Sequence, residues 1–325
     1  MSGTLVGYAF AVGDNPFCCW EYDHRERNLE YLQGIDTGYF STIAGILAAE
    51  IETNSESEWS ASIAIRALYQ QAIEALMSLL GAMIQAPGCV AAWIGKCRTQ
   101  DLEEIVGRLA IGHSLLTQSG QQRLTFATLA GRTHRYAWTT ESGDDSTAAR
   151  FGLLWARLSV EFLDPTARAE YNAIKHGHRV SPGGFVMSIG TEEGSGVPAP
   201  AEAMRSIGGS RHGSRFFKVE QVGETTWNIR ARRTSINWSV EALIQRLHLI
   251  SLSITNVVAA LQCEEGVNLR ELEFERPIDP AVFDMAWAHV IGVRHSSLDT
   301  IMRIEARDEP SRAELLDHLQ QRSRT

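Results

Sequence analysis

The sequence predicts a mainly α protein: a multi-helix bundle with a small antiparallel β insertion. Three observations carry that expectation. Long segments repeat apolar residues at spacings of three and four, as in Ile65, Leu68, Ala72, Leu76, Leu79 and Met83. Strand signals concentrate in one region, from Phe185 to Arg232. With 325 residues, 44% of them hydrophobic and 21% charged, the chain can bury a large core.

In order along the chain, Leu5 to Val12 reads as a strand and Asp14-Asn15-Pro16 as a turn. Leu29 to Glu52 reads as one or two helices, weakened at Gly34 and Gly38. Ser55-Glu56-Ser57-Glu58 has capping-box spacing and opens a helix to Gln85, closed by Pro87-Gly88. A short apolar piece follows, from Val90 to Ile94. Thr99 is the expected cap of a helix over 100–116, with Asp101, Glu103 and Glu104 in its first turn, where the dipole favours them. Ser146 or Thr147 opens a helix to Phe162 whose stripe is Phe151, Leu154, Trp155, Leu158 and Phe162. Asp164-Pro165 supplies an N-cap and an N1 proline for the next helix, and Gly177 stands at its expected C′ position, although the helical pattern can run on to Val180.

Ser181 to Gly184 reads as a turn and Phe185 to Ile189 as a strand. The segment 191–214 is rich in Gly, Pro, Ser and Ala and is expected to be a loop. Strands over 215–222 and 225–232 are expected to join through Gly223-Glu224 as a hairpin. Ser235 or Asn237 is the expected cap of a helix from Val240 to Gln262. Beyond it lie an extended piece at 269–274, a helix over 281–306 and a charged helix over 310–324. Three consecutive segments result: a mixed strand and helix segment over 1–54, a helical bundle domain over 55–265 with the β insertion at 183–233, and a C-terminal helical segment over 266–325.

A net charge of -9 and a pI near 5.6 argue against a protein that coats nucleic acid or an anionic membrane, but leave room for a local basic surface. Five cysteines show neither CxxC nor a disulfide framework, so a reducing cytoplasm is the expected compartment. The first ten residues lack the basic and apolar regions of a signal peptide, and the apolar run 39–49 is too short to span a bilayer. No membrane partner is expected. His113, His134, His289 and His295 are isolated and read as structural or surface histidines, so no metal is expected. No Walker A run, no GxGxxG and no GxSxG occurs, so no cofactor or serine-hydrolase elbow is expected.

One stretch concentrates titratable side chains and then meets a glycine: Ala169-Glu170-Tyr171-Asn172-Ala173-Ile174-Lys175-His176-Gly177-His178-Arg179-Val180. On a helix, Asn172, Lys175, His176 and Arg179 fall at i, i+3, i+4 and i+7, on one face, with Glu170 and Tyr171 at its flanks. His176 suits proton transfer near neutral pH, and Lys175 and Arg179 suit a phosphate. Asn172 can orient a substrate or the imidazole, and Tyr171 can donate a hydrogen bond. These types suffice for metal-free cleavage of RNA through its 2′-hydroxyl. Arg211, Arg215, Lys218, Arg230 and Arg232 of the expected hairpin region make a basic neighbourhood for nucleic acid.

Tyr171-Asn172-Ala173-Ile174-Lys175-His176 resembles the Arg-Asn-x-x-x-His motif of the HEPN superfamily. By position, Asn172 matches the motif's polar residue and His176 its histidine, while Tyr171 stands where the family has arginine. The resemblance implies a helical-bundle ribonuclease that needs no metal, or an inactive relative that binds RNA, in toxin–antitoxin or phage-defence systems. It also implies a homodimer with the motif near the dimer axis, and an antitoxin-like protein partner. The alternative is a non-enzymatic helical scaffold in which the motif is a structural polar network. The first reading needs His176 and its cations exposed in a concave, basic groove; the second needs them buried and hydrogen-bonded.

Overall fold

The computed structural model describes residues 7–20, 23–137, 146–176, 179–192, 194–289, 292–298 and 309–322. The fold is mainly α, with several small antiparallel sheets. Contacts group the chain into two units that are discontinuous in sequence, where three consecutive segments were expected: unit 1 is Met1–Arg168 with Val240–Val290, and unit 2 is Ala169–Ser239 with Ile291–Thr325.

Unit 1 begins with a hairpin, β1 (Tyr8–Val12) and β2 (Asn15–Cys19), and then α1 (His24–Gln33), α2 (Tyr39–Thr53), α3 (Glu58–Gln85), α4 (Val90–Lys96) and α5 (Thr99–Ala110). A second hairpin follows, β3 (Ser114–Thr117) and β4 (Gly120–Arg123), then α6 (Phe126–His134), α7 (Ser146–Leu163) and the start of α8 (Pro165–Lys175). The chain returns to unit 1 as α9 (Val240–Glu264) and α10 (Val282–Ala288).

The core is built where the longest apolar stripes meet. α3 buries Ile65, Tyr69, Ala72, Ile73, Leu76 and Leu80; α9 buries Leu243, Leu247, Ile250, Ile254, Val257 and Leu261. α3 packs on both α7 and α9, as their stripes require. Within α7, Phe151, Leu154, Trp155 and Leu158 are buried, while Phe162 is only half-buried. α3 and α9 are long and apolar enough to cross a membrane, yet 72% and 78% of their most apolar windows are buried inside the protein. Gly81 lets α3 lie against the fully buried Trp93 ring, because a Cβ there would collide with the indole.

Several boundaries depart from the sequence reading. Ser57 precedes α3 but makes no cap; its hydroxyl donates to Glu50 Oε1 instead, at 2.5 Å. α5 starts at Thr99 with Arg98 as N-cap, and the Asp101 carboxylate accepts the Arg98 backbone N–H. The same helix stops at Ala110, not at 116, because the chain turns through Gly112 (φ 65°) into β3. Strands therefore lie outside the expected insertion. The β1–β2 turn is held by Gln85, whose amide donates to the Gly13 and Leu116 carbonyls while its oxygen accepts the Gly13 N–H. The expected helix over 281–306 is also corrected among the described residues: α10 ends at Ala288, and the chain is extended at His295–Leu298; positions 290–291 and 299–306 of that helix lie outside the described residues.

Unit 2 contains the rest of α8, then β5 (Val180–Pro182), β6 (Val186–Ile189), β7 (Arg205–Gly209), β8 (Gly213–Gln221), β9 (Ile229–Asn237), β10 (His295–Leu298) and α11 (Arg312–Arg322). The expected loop over 191–214 is partly ordered: it holds a 3-10 turn at Ala201–Ala203 and β7, which pairs with β6. The main sheet has the order β10-β9-β8-β5 and is antiparallel throughout. Asn237 ends β9 rather than capping α9. Its buried amide donates to the Phe185 and Val293 carbonyls and its oxygen accepts the Phe185 N–H.

Candidate functional site

α8 begins as its sequence dictates. Asp164 Oδ1 accepts the Thr166 backbone N–H at 2.9 Å, and Pro165 occupies the first helical position. The helix then divides into two faces. Ala167, Glu170, Ala173 and Ile174 are buried, while Asn172, Lys175 and His176 are exposed. Glu170 is fully buried and accepts a hydrogen bond from Ser214 Oγ of β8 at 2.5 Å, so the inner face of α8 is tied to the main sheet.

At the helix end the His176 N–H donates to the Asn172 carbonyl at 3.0 Å. The Arg179 N–H then reaches back to the Ala173 carbonyl at 2.8 Å. α8 stops at Lys175, so Arg179 does not stand one turn further along the same helical face; it lies exposed on the chain leading into β5. Gly177 and His178 lie outside the described residues. The Lys175 ammonium sits 5.6 Å from the centroid of the half-buried Tyr171 ring, a cation–π contact. Among the described residues, the side chains of Asn172 and His176 make no hydrogen bond. The structure thus brings Asn172, Lys175 and His176 together on one exposed turn, with Tyr171 beside them.

The cations expected to hold nucleic acid divide between the two faces of the sheet, because side chains alternate along a strand. Lys218 pairs across β8–β9 with Arg232, and Glu220 with Arg230. All three cations approach Glu220, at 3.6 Å for Lys218, 3.1 Å for Arg230 and 3.4 Å for Arg232. Arg215 points to the opposite face with Phe217, Val219, Arg233 and Ile229. Phe217, Val219 and Ile229 are each more than 60% exposed there. Arg211 precedes β8 and is exposed.

The sequence reading did not find the Arg215 face as an aromatic and basic surface, since hairpin register was needed to place Phe217 opposite Arg233. Nor did it assign Glu170 its buried role. The signal was present: Glu170 lies at i-3 and i-4 from the apolar Ala173 and Ile174. Charge is also unevenly divided. Of the chain's 30 Lys and Arg and 39 Asp and Glu, 15 and 12 fall in unit 2, a formal +3, leaving 15 and 27 in unit 1, a formal -12.

Two titratable arrangements in unit 1 are structural. His134 is buried in unit 1, stacked on Phe151 at 4.7 Å, with Nδ1 on the Ala130 carbonyl and Nε2 facing the Asn256 amide. Burial lowers its pKa to about 4. Arg246, Glu161 and Tyr69 form a buried network. Arg246 donates to Glu161 at 2.9 Å and to the Ala286 carbonyl, and the Tyr69 hydroxyl donates to Glu161 at 3.0 Å. Among the described residues, no group of three His, Cys, Asp or Glu is placed to hold a metal ion. In comparisons with known proteins, no family model, no curated protein and no solved structure matches this chain.

Proposed function

We propose that unit 2 presents an RNA-contacting surface and that the exposed last turn of α8 is its reactive part, as in a HEPN-like ribonuclease. The observation that carries this reading is the exposure of Asn172, Lys175 and His176 on a helix whose opposite face is anchored through Glu170. A structural polar network would instead use those side chains for internal hydrogen bonds. The excess of cations in unit 2 supports an anionic partner. On this reading the strands from β5 to β9 are an insertion into a helical bundle, and the five free cysteines suit a reducing cytoplasm.

The chemistry assigns one role to each group. The unprotonated His176 imidazole takes the proton of a ribose 2′-hydroxyl, and the oxygen attacks the adjacent phosphorus. Lys175 stabilises the charge that builds on the non-bridging oxygens, with Arg179 reinforcing it from the following segment. Asn172 orients the phosphate, and Tyr171 holds the Lys175 ammonium in place. The departing 5′-oxygen takes a proton from the imidazolium or from water, leaving a cyclic 2′,3′-phosphate. Tyr171 stands in place of the motif arginine, so the permanent charge comes from Lys175 and Arg179.

The test is cleavage of single-stranded RNA by the purified protein with EDTA present, across pH 6–8. Loss of a general base costs a factor of about 10²–10⁴ in rate, so His176→Ala is expected to abolish cleavage with the thermal midpoint unchanged. Wild-type protein that neither cleaves nor binds RNA, with His176→Ala destabilised, would establish the scaffold reading instead.

A further inference from the structure

A cavity in unit 1 opens beside the break between α1 and α2, independently of the α8 surface. Its volume is about 340 Å³, at the lower end of small-molecule sites. The floor is apolar: Ile35, Phe40, Ala75, Leu79, Ile94 and Ile254. Two carboxylates, Asp36 and Glu74, line it, and the lining contains no Lys, Arg or His.

The sequence explains why the cavity exists. The apolar stripe of α3 meets α7 and α9. A neighbouring flank, Gln71, Glu74, Ala75 and Ser78 at i, i+3, i+4 and i+7, lines the cavity instead; Gln71 is exposed and the other three are half-buried. Gly34 and Gly38 end α1 and start α2, so Ile35 and Asp36 line the cavity from the break between the two helices, with Asp36 exposed.

Apart from Asp36, the polar groups on the lining make no hydrogen bond or ion pair with the described residues. Glu74 is half-buried, and among the described residues it has neither an ion pair nor a hydrogen bond. The same holds for the hydroxyls of Tyr31 and Ser78. Burial raises the Tyr31 pKa, which keeps its phenol a neutral donor and acceptor. Asp36 spends one oxygen on the Gly38 N–H at 3.1 Å and keeps the other. A half-buried carboxylate against apolar side chains favours a cationic partner, because the positive charge offsets its lost hydration.

We infer that this cavity binds a small organic cation with an apolar body, of the arylalkylamine class, its ammonium between Glu74 and Asp36 and its ring on Phe40, Leu79 and Ile254. Charge complementarity selects the occupant: both charged lining groups are anionic, and the formal -12 of unit 1 raises the local concentration of cations. An anionic ligand would meet two carboxylates with no countercharge. A neutral apolar ligand would cover Glu74 without pairing it.

The experiment is calorimetric titration of the full-length protein with 2-phenylethylamine, beside phenethyl alcohol and 3-phenylpropionate. The amine is expected to bind saturably, at least tenfold tighter than the alcohol, with no binding of the carboxylate. Glu74→Gln is expected to weaken the amine at least tenfold and leave the alcohol unchanged, with Asp36→Asn giving a smaller loss. The thermal midpoint of each variant without ligand checks its fold, and Asp36→Asn at the exposed rim serves if Glu74→Gln is destabilised. Equal binding of the three probes, or no saturable binding of the amine, would overturn the assignment. So would amine binding that both substitutions leave unchanged. RNA cleavage does not enter these readouts, so the two proposals stand or fall separately.

Discussion

His134 is held neutral by its surroundings. Phe151 and Trp155 stack on the ring, and the Ala130 carbonyl and the Asn256 amide occupy its two nitrogens. Protonation would place a charge among aromatic rings, so desolvation depresses the folded-state pKa from 6.5 to about 4. In the unfolded chain the ring protonates near its ordinary value. The unfolded state therefore binds more protons below about pH 6.5, and stability falls as the pH drops from there towards 4. Below 4 both states are protonated and the effect saturates. The full difference is worth about 3 kcal/mol. Denaturant unfolding at pH 7 and pH 4.5 should show a loss that His134→Phe largely removes. An equal loss in that variant would place the acid sensitivity elsewhere. Glu161 makes a second residue-scale case. Glu161→Ala would leave Arg246, only 8% exposed, without its carboxylate, a change that costs about 3–5 kcal/mol. Chemical denaturation checks it, and a loss below about 1 kcal/mol would mean that water or another group replaces the carboxylate. Neither arrangement could be placed from sequence. Arg246 and Glu161 are single polar residues in apolar stripes, and only packing shows that they meet.

Helices were legible in proportion to their length. α3, α7 and α9 each repeat the apolar period several times, so their existence and inward faces followed from spacing alone. Leu154 and Ile250 lie on those faces and are 2% and 0% exposed. Leu154→Ala and Ile250→Ala should each cost about 2–5 kcal/mol by transfer and cavity terms, measured by denaturant unfolding. A loss below about 0.5 kcal/mol at both positions would contradict this packing. Of the strands in hairpins β1–β2 and β3–β4, β1 falls within the expected 5–12, while the other three were harder to read because strands of four or five residues carry barely two periods. Gln85, distant in sequence from Gly13, holds the first of them and is itself only 1% exposed. Around the candidate site, α8, its N-cap and its stop ahead of Gly177 were legible, whereas the i+7 spacing that placed Arg179 on the same face was not realised, because the helix ends at Lys175. The inner face of α8 should be sensitive as well. Ser214→Ala removes a donor to the fully buried Glu170 and should cost about 1–3 kcal/mol. If the outer face is the reactive one, that variant should lose stability before it loses RNA cleavage per folded molecule.

At the scale of the whole molecule, a chain of net charge -9 can hold a polyanion only through a local surface, and unit 2 offers two. On one sheet face Lys218, Arg230 and Arg232 share Glu220, so part of their charge is already offset. On the other, Arg215 makes no ion pair with a described residue, and it lies on the same face as the exposed Phe217, whose ring can stack on an unpaired base. The RNA reading therefore predicts an ordering. Arg215→Ala should weaken single-stranded RNA binding more than Lys218→Ala, and should reduce the salt slope by about 0.7 for the phosphate contact it removes. Phe217→Ala should weaken binding with the slope unchanged, because stacking releases no counterion. Fluorescence anisotropy with a labelled oligonucleotide across a salt series separates the two effects. If Lys218→Ala has the larger effect, the Glu220 side is the binding face. If no substitution changes either affinity or slope, the sheet takes no part in holding RNA, and any contact must rest on the last turn of α8 alone.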